Sequence, residues 1–130
     1  MDIFFTNPND IPLPPNEVKI RALRAEPYPD KKRIRIYLEV TPFQKRPFGE
    51  LVISDEDGIQ VAIANIIEPM SNRIEVVLHI RKENPVGKYT LKATISFADE
   101  MEEGQRNAEK IVRPEFYTVD TMETSFEIVE

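Results

Sequence analysis

The chain has 130 residues, 41% of them hydrophobic and 31% charged, with no cysteine. That length suits one domain whose core needs no covalent staple, and the lack of cysteine removes disulfides, thiol nucleophiles and thiolate metal sites together. The formal net charge of −6 argues against a nucleic-acid partner. No apolar run approaches the length of a membrane-spanning helix, and Met1-Asp2-Ile3-Phe4-Phe5 lacks the basic start and apolar core of a signal peptide, so no membrane association and a cytoplasmic location are expected.

Residues 1–16 carry Pro8, Pro12, Pro14 and Pro15, each of which denies the backbone a donor. They read as an extended arm that covers a sheet edge before a single domain over residues 17–130. A first strand runs from about Glu17 to Glu26. Val18 and Ile20 share one parity and Leu23 and Ala25 the other, which predicts a bulge near Ala22. Pro27-Tyr28-Pro29-Asp30 is a turn into a second strand, Arg33 to Thr41, with Ile34, Ile36, Leu38 and Val40 inward.

After the loop Pro42 to Pro47, a short strand from Glu50 to Ser54 pairs through Asp55-Glu56-Asp57-Gly58 with Ile59 to Ala64. Gly58 accepts the positive φ that a type I′ turn or a bulged turn requires. Residues 65–72 read as a crossing segment, and Arg73 to Lys82 as a strand with Ile74, Val76, Leu78 and Ile80 inward. The cleanest alternation follows the Pro85-Val86-Gly87 turn: Tyr89, Leu91, Ala93, Ile95 and Phe97 fall on one face and Thr90, Lys92, Thr94 and Ser96 on the other. Residues 98–123 read as a long charged loop, in which Phe116, Tyr117 and Val119 could prolong the hairpin as a strand, and Phe126 and Ile128 mark a last core strand.

About seven strands, each with an inward row, predict an all-β fold: a two-sheet antiparallel sandwich. The succession Leu51 to Gly58, Ile74-Glu75-Val76, Pro85-x-Gly87-x-Tyr89-x-Leu91-x-Ala93 and Phe126-Glu127-Ile128 resembles bacterial immunoglobulin-like domains of the macroglobulin and fibronectin type III sort. The resemblance implies an immunoglobulin-like sandwich with Tyr89 at the tyrosine corner. It also implies roles in adhesion, scaffolding, spacing or accessory binding rather than a shared catalytic site.

Charge is segregated. Residues 17–46 hold nine bases against four acids, and residues 97–130 ten acids against three bases. Either the first and last strands lie side by side and neutralise one another within one chain, or the two ends steer a partner or a second copy.

The inventory for catalysis is thin. His79 is the only histidine and occupies an outward strand position, and no nucleophile elbow, phosphate-cradling loop or dinucleotide fingerprint occurs. No enzyme activity, catalytic residue, metal or cofactor is expected. Two ligand classes stand as the alternative, an accessory domain that uses residues 98–123. Calcium would draw on Asp55, Glu56 and Asp57 with Asp99 or Glu102, and carbohydrate would have to use tyrosine or phenylalanine because tryptophan is absent. A surface for protein is the favoured reading. If the second strand and Arg73 to Lys82 are neighbours, Arg35, Tyr37, Val77 and His79 form one outer patch. That patch, or an edge strand beside it, would bind a protein partner or a second copy, as in a homodimer.

Overall fold

The computed structural model describes residues 11–98 and 115–130. Inward apolar rows at period two give seven strands: β1 (Ile20–Pro27), β2 (Arg33–Val40), β3 (Phe48–Ser54), β4 (Gln60–Ile67), β5 (Arg73–His79), β6 (Gly87–Ala98) and β7 (Phe116–Ile128). They divide into a three-stranded sheet in the order β1-β2-β5 and a four-stranded sheet in the order β4-β3-β6-β7. Every pairing is antiparallel. The chain crosses from β2 to β3 and back from β4 to β5, as expected of an immunoglobulin-like sandwich.

The alternating rows meet between the sheets. Ile34, Ile36, Leu38 and Val40 from β2 face Leu51 and Ile53 from β3 and Leu91, Ala93, Ile95 and Phe97 from β6, each at most 1% exposed. Burying a side chain of this size contributes about 1.5–3 kcal/mol, so these rows dominate the stability of the fold. Ala93 is the small residue among them and leaves room for the facing layer. Gly49 plays a similar part in β3: a Cβ there would lie 3.3 Å from the Cβ of Ile66 on β4.

The expected bulge in β1 is present, with the register shifting between Ile20 and Ala22. It explains why Ile20 and Leu23, of opposite parity, are both buried. In the β3–β4 turn, Gly58 has φ +80° while Asp57 is not in the left-handed region, which selects the bulged turn over type I′. Asp55 Oδ1 holds the turn by accepting the N–H groups of Asp57 (2.9 Å) and Ile59 (3.0 Å).

Several boundaries move: β1 begins at Ile20 and not Glu17, β3 at Phe48 and not Glu50, and β5 ends at His79 and not Lys82. β4 continues to Ile67, so residues 65–67, read as part of a crossing segment, are strand paired with Phe48 to Glu50. β7 begins at Phe116, so residues 116–123 are strand and not loop; Phe116, Tyr117 and Val119 do prolong the hairpin. The register of β7 shifts opposite Ile95 and Ser96. That bulge, together with β7's position at a sheet edge, breaks the hydrophobic alternation that would have marked it in the sequence.

The described part of the proline-rich arm docks on the loop after β2 rather than along a named strand. Leu13 forms a parallel bridge with Phe43, its N–H donating to Pro42 O (3.0 Å) and its carbonyl accepting from Gln44 N (2.9 Å). A 3-10 turn over Pro15–Glu17 then delivers the fully buried Val18.

Candidate functional site

β2 and β5 are neighbours, and the four residues predicted to share an outer face do so. Arg35 lies opposite Val77, Tyr37 opposite Glu75 and Arg33 opposite His79. Val77 is 43% exposed. Arg35 and Tyr37 are engaged within the sheet. Arg35 Nη2 donates to Glu75 Oε1 at 2.8 Å, Tyr37 Oη donates to Glu39 Oε1 at 2.7 Å, and the Arg24 guanidinium sits 4.4 Å from the Tyr37 ring centre. The Tyr37 hydroxyl, with Arg73 and Arg21 beside it, holds the Glu39 carboxyl below its usual range, and the same hydrogen bond raises the Tyr37 phenol. At the strand's start, the Arg33 guanidinium donates to Asp30 (2.7 Å) and covers the Tyr28 ring (4.6 Å). This face is a lattice of ion pairs and cation–π contacts, each exposed and individually weak.

The expected pairing of first and last strands is seen in their positions. β1 and β7 lie side by side across the two sheets, and the Ile20 N–H donates to Asp120 Oδ2 at 2.8 Å. Among the described residues, Arg21, Arg33 and Arg35 of the basic segment lie beside Glu39, Asp30 and Glu75 on the three-stranded sheet and its first turn, and Asp120 of the last strand accepts a backbone N–H of the first.

At the other end of the four-stranded sheet, Tyr89 is 2% exposed and its hydroxyl donates to Pro85 O at 2.6 Å, four residues upstream. That is the tyrosine corner the sequence suggested. Phe126 stacks on the ring at 5.3 Å. Together with Asp55, Glu56, Lys88 and Glu127 they line an open depression. Two of its acids have structural work. Asp55, besides holding its turn, lies 3.5 Å from Lys82 Nζ and is held below its usual range, first by the Ile59 N–H. Glu56 Oε1 accepts the Lys88 N–H at 3.1 Å. Asp99 and Glu102, the other acids of the calcium reading, lie outside the described residues, as does most of the 98–123 segment. Among the described residues no cluster of three or more acids or histidines is arranged to hold a metal, and no helix is long and apolar enough to cross a membrane.

The sequence reading missed the flank formed by β4 and β5. Of the large hydrophobic side chains that the structure leaves exposed, Ile59 (60%), Ile63 (54%), Ile67 (71%), Met70 (82%) and Val77 all lie along or beside these two edge strands. Residues of β4 and β5, among them Ile63, Val77 and His79, line an open groove between the sheets. The available signal was Gln60 to Ile67, eight residues without a charge. Ending the strand at Ala64 hid Ile67 from that reading.

No family model and no curated protein matches this chain. Solved structures do. A β-glucuronidase from glycoside hydrolase family 2 is similar over 85% of this chain and 12% of its own, at 18% identity and a TM-score of 0.51. The β-glucuronidase of Ruminococcus gnavus is similar over 88% of this chain and 16% of its own, at 15% identity and a TM-score of 0.41. The chain thus spans a small part of the proteins it resembles. At this identity the first likeness bears on the fold alone, an all-β sandwich of two antiparallel sheets, and the second carries no argument.

Proposed function

We propose that this chain is a non-enzymatic β-sandwich module that works by contact with protein, and that the contact surface is the β4/β5 flank. The carrying observation is the contrast between two exposed regions. On the outer face of β1-β2-β5, Arg35 with Glu75 and Tyr37 with Glu39 and Arg24 satisfy one another, so a partner landing there would have to displace existing pairs. On the flank, exposed isoleucines border strand edges that are neither charged along β4 nor followed by another strand. Burying such side chains is favourable at about 25 cal/mol per Å² of apolar surface. The patch of Arg35, Tyr37, Val77 and His79 joins this surface through Val77 and His79, which also line the groove.

The fold likeness to one part of a much larger hydrolase supports the modular reading. The acids of the Tyr89 depression support the non-catalytic one, because Asp55 and Glu56 are spent on backbone N–H groups. Asp55 is also shifted in the direction opposite to that of a general acid. The test is an assay against a panel of aryl glycosides, the β-glucuronide included, in which no turnover above the buffer rate is expected. Turnover that disappears with a Glu56→Gln or Glu127→Gln substitution would overturn the reading.

A further inference from the structure

β4 is an edge strand: the four-stranded sheet runs β4-β3-β6-β7, and only β3 neighbours it. Natural edge strands are blunted by charges, proline, bulges or a covering segment, because a bare edge templates further pairing. The other three edge strands carry such devices. β1 and β7 lie against each other, with Asp120 accepting the Ile20 N–H, and β5 carries Arg73, Glu75 and His79. β4 reads Gln60-Val61-Ala62-Ile63-Ala64-Asn65-Ile66-Ile67 and is the only one of the seven strands without a charged residue. Among the described residues its edge is met only near its start, where the Arg81 N–H donates to Val61 O at 3.1 Å.

The side chains of β4 also match their own reversal. Register with β3 places Ile63, Asn65 and Ile67 on the outer face, opposite Val52, Glu50 and Phe48, and Ala62, Ala64 and Ile66 on the core face. The outer row Ile-Asn-Ile is palindromic. An antiparallel two-fold pairing centred on Asn65 sets Ile63 of one copy against Ile67 of the other, lets the two Asn65 amides meet, and sets small Ala64 against Ile66. Direct cross-strand pairs of this kind stabilise a sheet by about 0.2–1 kcal/mol each. A chain with net charge −6 repels its copy over most approaches, but β4 brings no like charges face to face.

Resting on the reading of this flank as a contact surface, we infer that its occupant is a second copy of the chain. The two β4 edges pair antiparallel about a two-fold axis at Asn65, so that two four-stranded sheets become one of eight strands.

The experiment is sedimentation equilibrium on the full chain over a range of concentrations, with circular dichroism confirming that each variant keeps its strand signal and a cooperative melt. Wild type is expected at twice the chain mass. The double variant I63E/I67E is expected at the mass of one chain, since each substituted carboxylate then faces another. The double variant I63E/I67K is expected to remain dimeric and to weaken with salt, because the same pairing sets opposite charges together. A monomeric wild type, a dimer that survives I63E/I67E, or a folded but monomeric I63E/I67K would each overturn the pairing. Such a failure leaves the modular reading to its own test, the glycoside assay, which does not depend on mass.

Discussion

The two flanks of this sandwich close differently. On one, β1 and β7 lie together and Asp120 reaches across to the Ile20 N–H at 2.8 Å, so two sheet edges seal each other within one chain. On the other, β4 and β5 contact each other sparsely, and Ile63, Ile67 and Val77 stay in water. A sandwich of three and four strands has four edges to protect. Among the described residues, this one protects β1 and β7 by mutual cover, protects β5 with charge, and leaves β4 bare. The lesson is that exposed apolar surface concentrates where edge protection stops, and that is where the proposed contact surface falls.

Mutations can separate the packing that both flanks share from what distinguishes them. Phe97→Ala, in the central strand β6 at 0% exposure, should destabilise the fold by about 3–5 kcal/mol in chemical denaturation. Asp120→Ala should cost about 1–3 kcal/mol by leaving the part-buried Ile20 N–H without its acceptor. If it costs nothing, the closed flank is not closed by that bond. Tyr89→Phe should cost about 0.5–1.5 kcal/mol through loss of the hydrogen bond to Pro85, and it should leave the mass unchanged. Ile63→Lys should alter the stability of the isolated chain by no more than about 0.5 kcal/mol, because the side chain is exposed. A large loss there would mean that the open flank is packed after all.

The smallest effect is electrostatic and belongs to the outer face. The Arg33 and Lys32 N–H groups and the Arg33 guanidinium lower the Asp30 carboxyl to about 2 from 3.8. A folded-state value below the unfolded one makes this contribution complete above pH 3.8 and lost as pH falls from there toward about 2. Thermal melts of wild type and Asp30→Asn over that window should therefore converge as pH drops. Parallel curves would mean that the turn at Asp30 contributes no charge-dependent stability.

Much of this was legible in the residues. Strands buried on one face declare themselves by alternation, which is why β2 and β6 lie almost where the pattern set them and why the bulge between Ile20 and Ala22 could be read from a change of parity. Tyr89 was legible as a corner through the resemblance of the run from Pro85 to Ala93 to immunoglobulin-like domains. β7 was not legible over residues 116–123, since an edge strand with a bulge opposite Ile95 and Ser96 needs no regular apolar row. Of the surface, Arg35, Tyr37, Val77 and His79 could be placed on one face from parity once their two strands were taken as neighbours. The engagement of Arg35 and Tyr37 with Glu75, Glu39 and Arg24 could not, because side-chain pairing depends on register between strands.

By itself, then, the sequence determined which residues face inward, and through them the number of core strands and the two-sheet architecture, because parity along a strand is a local property. Which strands end up at an edge, and which of those edges are covered, was decided only by the tertiary structure. Ile63 and Ile67 in isolation read like core residues of a buried strand. Their exposure follows from the position of β4 at the end of the order β4-β3-β6-β7, a relation among segments distant in the chain that no local pattern carries.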